Sequence, residues 1–121
     1  MTLGIAAITF DCEDASVLSA FWSGALDRPV DPSEEDTGGF FASIGMADPQ
    51  PGQPTMMFIK VPESKTSKNR VHLDLNASDR GAEVERLVGL GATVVHDNDE
   101  WGVRWTTLTD PEGNEFCVAE H

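Results

Sequence analysis

His72 and Asp74 stand two apart in the run Val71-His72-Leu73-Asp74-Leu75-Asn76, where apolar and polar residues alternate. A strand turns every second side chain to one face. An imidazole and a carboxylate therefore share a face, the arrangement of a general base oriented by an acid. In Glu115-Phe116-Cys117-Val118-Ala119 the same alternation sets Cys117 with Glu115 and against Phe116 and Val118. A thiol near a histidine is a candidate nucleophile. Trp101 and Trp105, with Arg104 between them, follow the acidic turn Asp97-Asn98-Asp99-Glu100 and offer surfaces on which a flat ligand can stack. Lys60 and Arg70 bound a stretch with four basic residues and one acid, and at strand ends they can meet an anionic group. Each feature alone has a plainer reading: a structural His–Asp pair, core tryptophans, a solvated loop. No phosphate-cradling glycine loop, Cys-x-x-Cys, His-Glu-x-x-His or Gly-x-Ser-x-Gly occurs.

The elements that must carry these residues come twice. Ile5 to Cys12 alternates as a strand, Asp14 can cap, and Val17, Leu18, Phe21, Trp22, Ala25 and Leu26 recur at helical spacing. The alternating run Val71 to Asn76, the capping Asp79, the apolar Val84, Leu87 and Val88, and the stop at Gly91 repeat the plan. Strand composition follows each helix: a piece near Val30, Gly39 to Ile44 and Thr55 to Val61, then Ala92 to His96, Val103 to Leu108 and Glu115 to Ala119. Each half thus reads strand, helix, three strands. The halves are module one, residues 1–61, and module two, residues 70–121, joined by a polar connector over 62–69 into one domain spanning 1–121. On the first strand Ile8, Phe10 and Cys12 oppose Ala7, Thr9 and Asp11. With helices covering the apolar faces, Thr9, Asp11, His72, Asp74, Asn76 and Cys117 form a polar floor, either solvated or lining a ligand cleft.

The 121 residues include 8 Lys+Arg and 21 Asp+Glu, a formal charge of −13. Such a chain is a poor match for nucleic acid or an anionic membrane. No apolar run approaches the ~18 residues of a membrane span. Leu3 to Phe10 has no basic segment before it and reads as a strand, not a secretory signal, so a cytoplasmic protein with Cys12 and Cys117 as reduced thiols is expected.

Four segments carry a family resemblance: Ala20-Phe21-Trp22, Lys68 to Leu75, Leu90-Gly91-Ala92-Thr93-Val94 and Asp110-Pro111-Glu112-Gly113-Asn114-Glu115-Phe116-Cys117. Together they resemble the glyoxalase-like branch of the vicinal oxygen chelate superfamily, which includes glyoxalases, extradiol dioxygenases and bleomycin-resistance proteins. The resemblance implies an α+β fold of two βαβββ modules, with eight strands in a mixed sheet curled around a central cavity and the helices outside. It also implies that the superfamily's metal-ligand positions fall at Ala7, near Phe58, at His72 and at Cys117. Only His72 and Cys117 carry donor atoms, whereas catalytic metal sites normally need about three protein ligands. No cofactor is therefore expected, and a divalent ion at a reduced site is the alternative.

The expected function is metal-independent binding of a small molecule in the sheet cavity, as in the bleomycin-resistance type. Its contacts would be Thr9, Asp11, Phe58, Lys60, His72, Asp74, Trp101, Arg104 and Cys117. The alternative is a lyase or isomerase-like enzyme in which His72, oriented by Asp74, is a base or a metal ligand. A homodimer is the expected macromolecular partner, if there is one.

Overall fold

The computed structural model describes residues 2–33 and 35–120. The chain divides into two compact units, Met1–Ser64 and Lys65–His121, and the division falls inside the polar connector.

In the first unit, strand β1 (Ala7–Cys12) leads into helix α1 (Ala15–Leu26), followed by β2 (Phe41–Ile44) and β3 (Thr55–Lys60). Asp14 starts the helix by accepting hydrogen bonds from the backbone N–H groups of Ser16 and Val17, which otherwise have no intrahelical partner. The helix buries Ala15, Leu18, Phe21 and Trp22. Trp22 stacks on Phe10 at 5.6 Å between ring centroids, and Phe10 stacks on Phe58 at 5.4 Å. Strands β1 and β3 run parallel, β2 runs antiparallel to β3, and the sheet order is β1-β3-β2. Val30 contributes one antiparallel bridge to Ile44, the remnant of the strand expected there. The first strand starts at Ala7 and not at Ile5, which is exposed.

The second unit repeats the plan. Strand β4 (Leu73–Ala77), helix α2 (Arg80–Leu90), β5 (Thr93–Glu100), β6 (Val103–Thr109) and β7 (Glu115–Glu120) form a mixed sheet ordered β4-β7-β6-β5, with β4 and β7 parallel. Asp79 caps α2 by accepting from the Ala82 N–H. The left-handed Gly91 ends the helix, and its N–H returns to the carbonyls of Leu87 and Val88. Arg80, the first residue of α2, donates to Thr106 Oγ1 at 2.6 Å, so the even-numbered residues of β6 face the helix. Leu108, Phe116 and Val118 are buried on that face.

The architecture is α+β, with two helices and seven strands among the described residues, in one mixed sheet per unit. One boundary reading is corrected. Asp97 to Glu100 is not a turn but the second half of β5, paired with β6 from Thr106 down to Val103. Asp97 is drawn into the strand by Thr106 Oγ1 at 2.5 Å and Arg80 Nη1 at 3.2 Å. The reversal falls on Trp101 and Gly102, whose φ angles of 54° and 74° are both positive, as a two-residue type I′ hairpin requires.

Candidate functional site

The sheet of the second unit holds a cleft of about 550 Å³ on the face away from α2, lined from Lys68 to Ala119. The pairing register explains its content. Asp74 on β4 stands beside Cys117 on β7, Cys117 beside Thr107 on β6, and Thr107 beside His96 on β5. Two residues along each strand, and so on the same face, the next row is Asn76, Ala119, Trp105 and Asn98.

Three of these donors cluster. His72, the residue immediately before β4, places Nε2 3.3 Å from Asp74 Oδ1. Donor atoms of His72, Asp74 and Cys117 all lie within 4.8 Å of one another. The Cys117 sulfur is 3.4 Å from Thr107 Oγ1. His72 and Asp74 are exposed and Cys117 is half-buried, so the group is reachable from solvent. Both cysteines are thiols, not a disulfide, and Cys12 is buried at the end of β1.

The turn between β6 and β7 aims this group. Asp110 is 3% exposed. Its Oδ1 accepts from the backbone N–H groups of Glu112 and Asn114, and its Oδ2 accepts from the Asn114 side-chain amide at 2.9 Å. Gly113 takes the left-handed φ of 86° that the reversal needs. The Asp-Pro-Glu-Gly-Asn segment is thus a rigid clasp that starts β7 at Glu115 in a fixed phase and sends Cys117 to the cleft face. Glu115 in turn holds the connector by accepting from the Asn69 N–H at 2.9 Å and from Lys65 Nζ at 3.1 Å. Partial burial works against its charged form, but these bonds and the Lys65 charge outweigh it and hold the carboxyl below the usual carboxylate range.

The structure gathers His72, Asp74 and Cys117, as the alternation predicts. Trp101 is 86% exposed and lies outside the lining, but its ring stacks on that of Trp105 at 6.1 Å and 7° between planes, and Trp105 does line the cleft. Arg104 is a correction: it shares its face with Thr106 and Leu108, away from the cleft, and lies 3.5 Å from Asp99. Thr9, Asp11, Phe58 and Lys60 belong to the first unit, and every residue lining the cleft lies in the second. Thr9 and Asp11 are exposed on the β1 face opposite Phe10. Phe58 is a further correction, fully buried on the helix side against Phe10. Lys60 is exposed at the end of β3. Lys68 of the connector lines the cleft, and Arg70 just beyond it does not.

Two lining residues had no signal that sequence reading could use. Lys68 sits in an aperiodic loop. His96 reaches the cleft through a register shift between Val94 and His96, a β-bulge that alternation cannot foresee.

Two of the four metal-ligand positions that the resemblance implies carry no ligand. Ala7 has no donor atom, and Phe58 is a core ring.

A family model described as a glyoxalase-like domain matches residues 7–119. No curated protein matches the chain in sequence. Among solved structures, a glyoxalase/bleomycin resistance protein/dioxygenase family enzyme from Burkholderia phytofirmans superposes with a TM-score of 0.74 at 17% identity, covering 98% of each chain. The fosfomycin resistance protein FosX from Listeria monocytogenes gives 0.74 at 14% identity, covering 100% of this chain and 95% of its own. TnmS3, an antibiotic binding protein from a Streptomyces species, gives 0.68 at 16% identity over 98% and 96%. These likenesses establish a shared fold, and with the domain match over nearly its whole length the chain belongs to the glyoxalase-like family.

Proposed function

We propose that this protein binds a flat small molecule in the cleft of its second unit, without the four-ligand metal centre of its metal-dependent relatives. The observation that carries this is the composition of one sheet face. The indole of Trp105, with the exposed ring of Trp101 stacked against it, lies beside the polar cluster of His72, Asp74 and Cys117. Apolar area with a few convergent polar groups is the usual make-up of a small-molecule site. The antibiotic-binding relative, alike in fold, supports binding as an end in itself.

Thermal denaturation against a panel of flat aromatic compounds, cationic and neutral, tests the proposal. A ligand at ~100 times its dissociation constant adds about 2.7 kcal/mol to stability, and Trp105→Ala should abolish the shift. A panel that leaves the melting curve unmoved, or shifts it equally in Trp105→Ala, removes the proposal's support.

A second reading rests on the clustering of His72, Asp74 and Cys117 donor atoms within 4.8 Å. Three donors and an open position suit a divalent ion, and His72 held by Asp74 alone suits a general base. Elemental analysis of protein purified without chelator separates the two readings. About one ion per chain, lost in both Asp74→Ala and Cys117→Ser, would favour the metal-bearing enzyme over the binding protein.

A further inference from the structure

We propose that His96 is the hydrogen-bond donor that selects the cleft's ligand, so that the flat molecule bound there carries an acceptor oxygen, such as a carbonyl, at its rim. The inference rests on the cleft-binding reading and names the class of ligand.

Three observations lead to it. The first is the bulge at Val95. Val94 pairs with Leu108 on the helix face, and strict alternation from there would set His96 opposite Thr106, under α2. The extra residue instead sets His96 opposite Thr107 and gives the place at Thr106 to Asp97, where Arg80 and Thr106 hold it. Bulges next to sites often serve to re-aim one side chain, and here that side chain is a histidine entering the cleft.

The second is the contact that orients the ring. Asn98, two residues on and on the same face, places its amide Nδ2 2.6 Å from His96 Nδ1. An amide nitrogen only donates, so Nδ1 accepts and the neutral imidazole carries its proton on Nε2. That leaves Nε2–H as the ring's free donor, on a side chain that lines the cleft. The third is position. Asn98 pairs with Trp105, so the His96–Asn98 unit stands at the edge of the indole floor. A ring system lying on Trp105 brings its rim, not its face, to His96.

The test uses a shape-matched pair of probes: 2-acetylnaphthalene, which has a carbonyl acceptor, and 2-isopropenylnaphthalene, in which a methylene replaces that oxygen. Titrations on the full chain should show the ketone bound about three- to tenfold more tightly, the range of one neutral hydrogen bond. The preference should vanish in His96→Ala and return in part in His96→Gln, whose amide can donate from a similar place. His96 is exposed, so neither change should threaten folding. Nitrogen chemical shifts of the unliganded protein should identify His96 as the Nε2–H tautomer, and Asn98→Ala should weaken that bias.

Equal binding of the two probes, or a preference that survives His96→Ala, overturns the role of His96 and leaves the cleft-binding reading intact. An Nδ1–H tautomer overturns it too, with no ligand needed. Binding of neither probe overturns both this inference and the proposal that the cleft takes flat aromatic molecules.

Discussion

Glu115 links the cleft to the connector, and its charge state should be visible in stability. Its carboxyl is held below the usual range by Asn69 and Lys65 despite the opposing effect of burial. A depressed folded-state pKa means that the unfolded chain binds the proton first. The contribution is therefore full above the unfolded value of ~4.3 and is lost as pH falls through the folded value. Glu115→Gln should lower stability at pH 7 and flatten the acid limb of a urea-denaturation series between neutral and acidic pH. A wild-type loss on acidification that the variant reproduces in full would show that Glu115 contributes nothing to it. Individual residues were legible in the sequence where a period of two ran uninterrupted, as for His72, Asp74 and Cys117. Phe58 shows the cost of an uncertainty of one residue, because neighbouring strand residues face opposite ways. Arg104 was grouped with the tryptophans by adjacency in sequence, yet alternation turns it to the other face.

Among the elements, the β5–β6 hairpin carries the sharpest local conflict. Trp101 occupies a left-handed conformation, which costs a non-glycine residue about 1–2 kcal/mol, while its ring contact with Trp105 returns about 0.5–1.5 kcal/mol. Asn followed by Gly is the favoured pair for such a turn. Trp101→Asn should thus leave the melting temperature unchanged or raise it slightly, while affinity for flat ligands falls. A melting temperature lowered by many degrees would make Trp101 a structural residue and weaken its place in the ligand surface. The β6–β7 clasp is the contrary case. Asp110→Ala leaves the N–H groups of Glu112 and Asn114 without their acceptor, a loss of about 1–3 kcal/mol each if they stay buried. A sizeable drop in denaturation midpoint is expected, and a near-neutral result would mean that the turn closes on other bonds. Both helices were legible because Asp14 and Asp79 cap apolar runs of helical period. The length of β5 was not, because Asp97, Asn98, Asp99 and Glu100 have turn composition and are kept extended by pairing with β6 across the hairpin, with Arg80 adding its hold on Asp97.

At the scale of the whole molecule, the charge of −13 predicts self-repulsion. Raising sodium chloride from about 10 mM to about 500 mM shortens the Debye length from ~30 Å to a few ångströms and should raise the melting temperature. A fall would mean that specific ion pairs, such as Lys65–Glu115 and Arg80–Asp97, outweigh the general repulsion. The duplication was readable because each unit returns to the same order of strand, helix and strands, and the observed sheets share it: the first strand of each runs parallel to the last. The loss of one strand to a single bridge at Val30 was not readable, since a short β-branched piece looks the same whether or not it finds a full partner.

The bulge at Val95 can also be regarded as a shift of reading frame. Residues 93–94 and residues 96–100 of β5 are each written in the two-letter alphabet of cleft side and helix side, and Val95 is the inserted letter between them. Deleting Val95 would leave both messages intact, with Val94 still toward α2 and His96 still toward the cleft. Removing His96 instead would slide Val95 into the cleft position and preserve every downstream assignment. The strand should therefore tolerate a one-residue deletion anywhere from Val94 to His96, making the bulge the natural place for the cleft to gain or lose a functional group without disturbing the rest of the sheet.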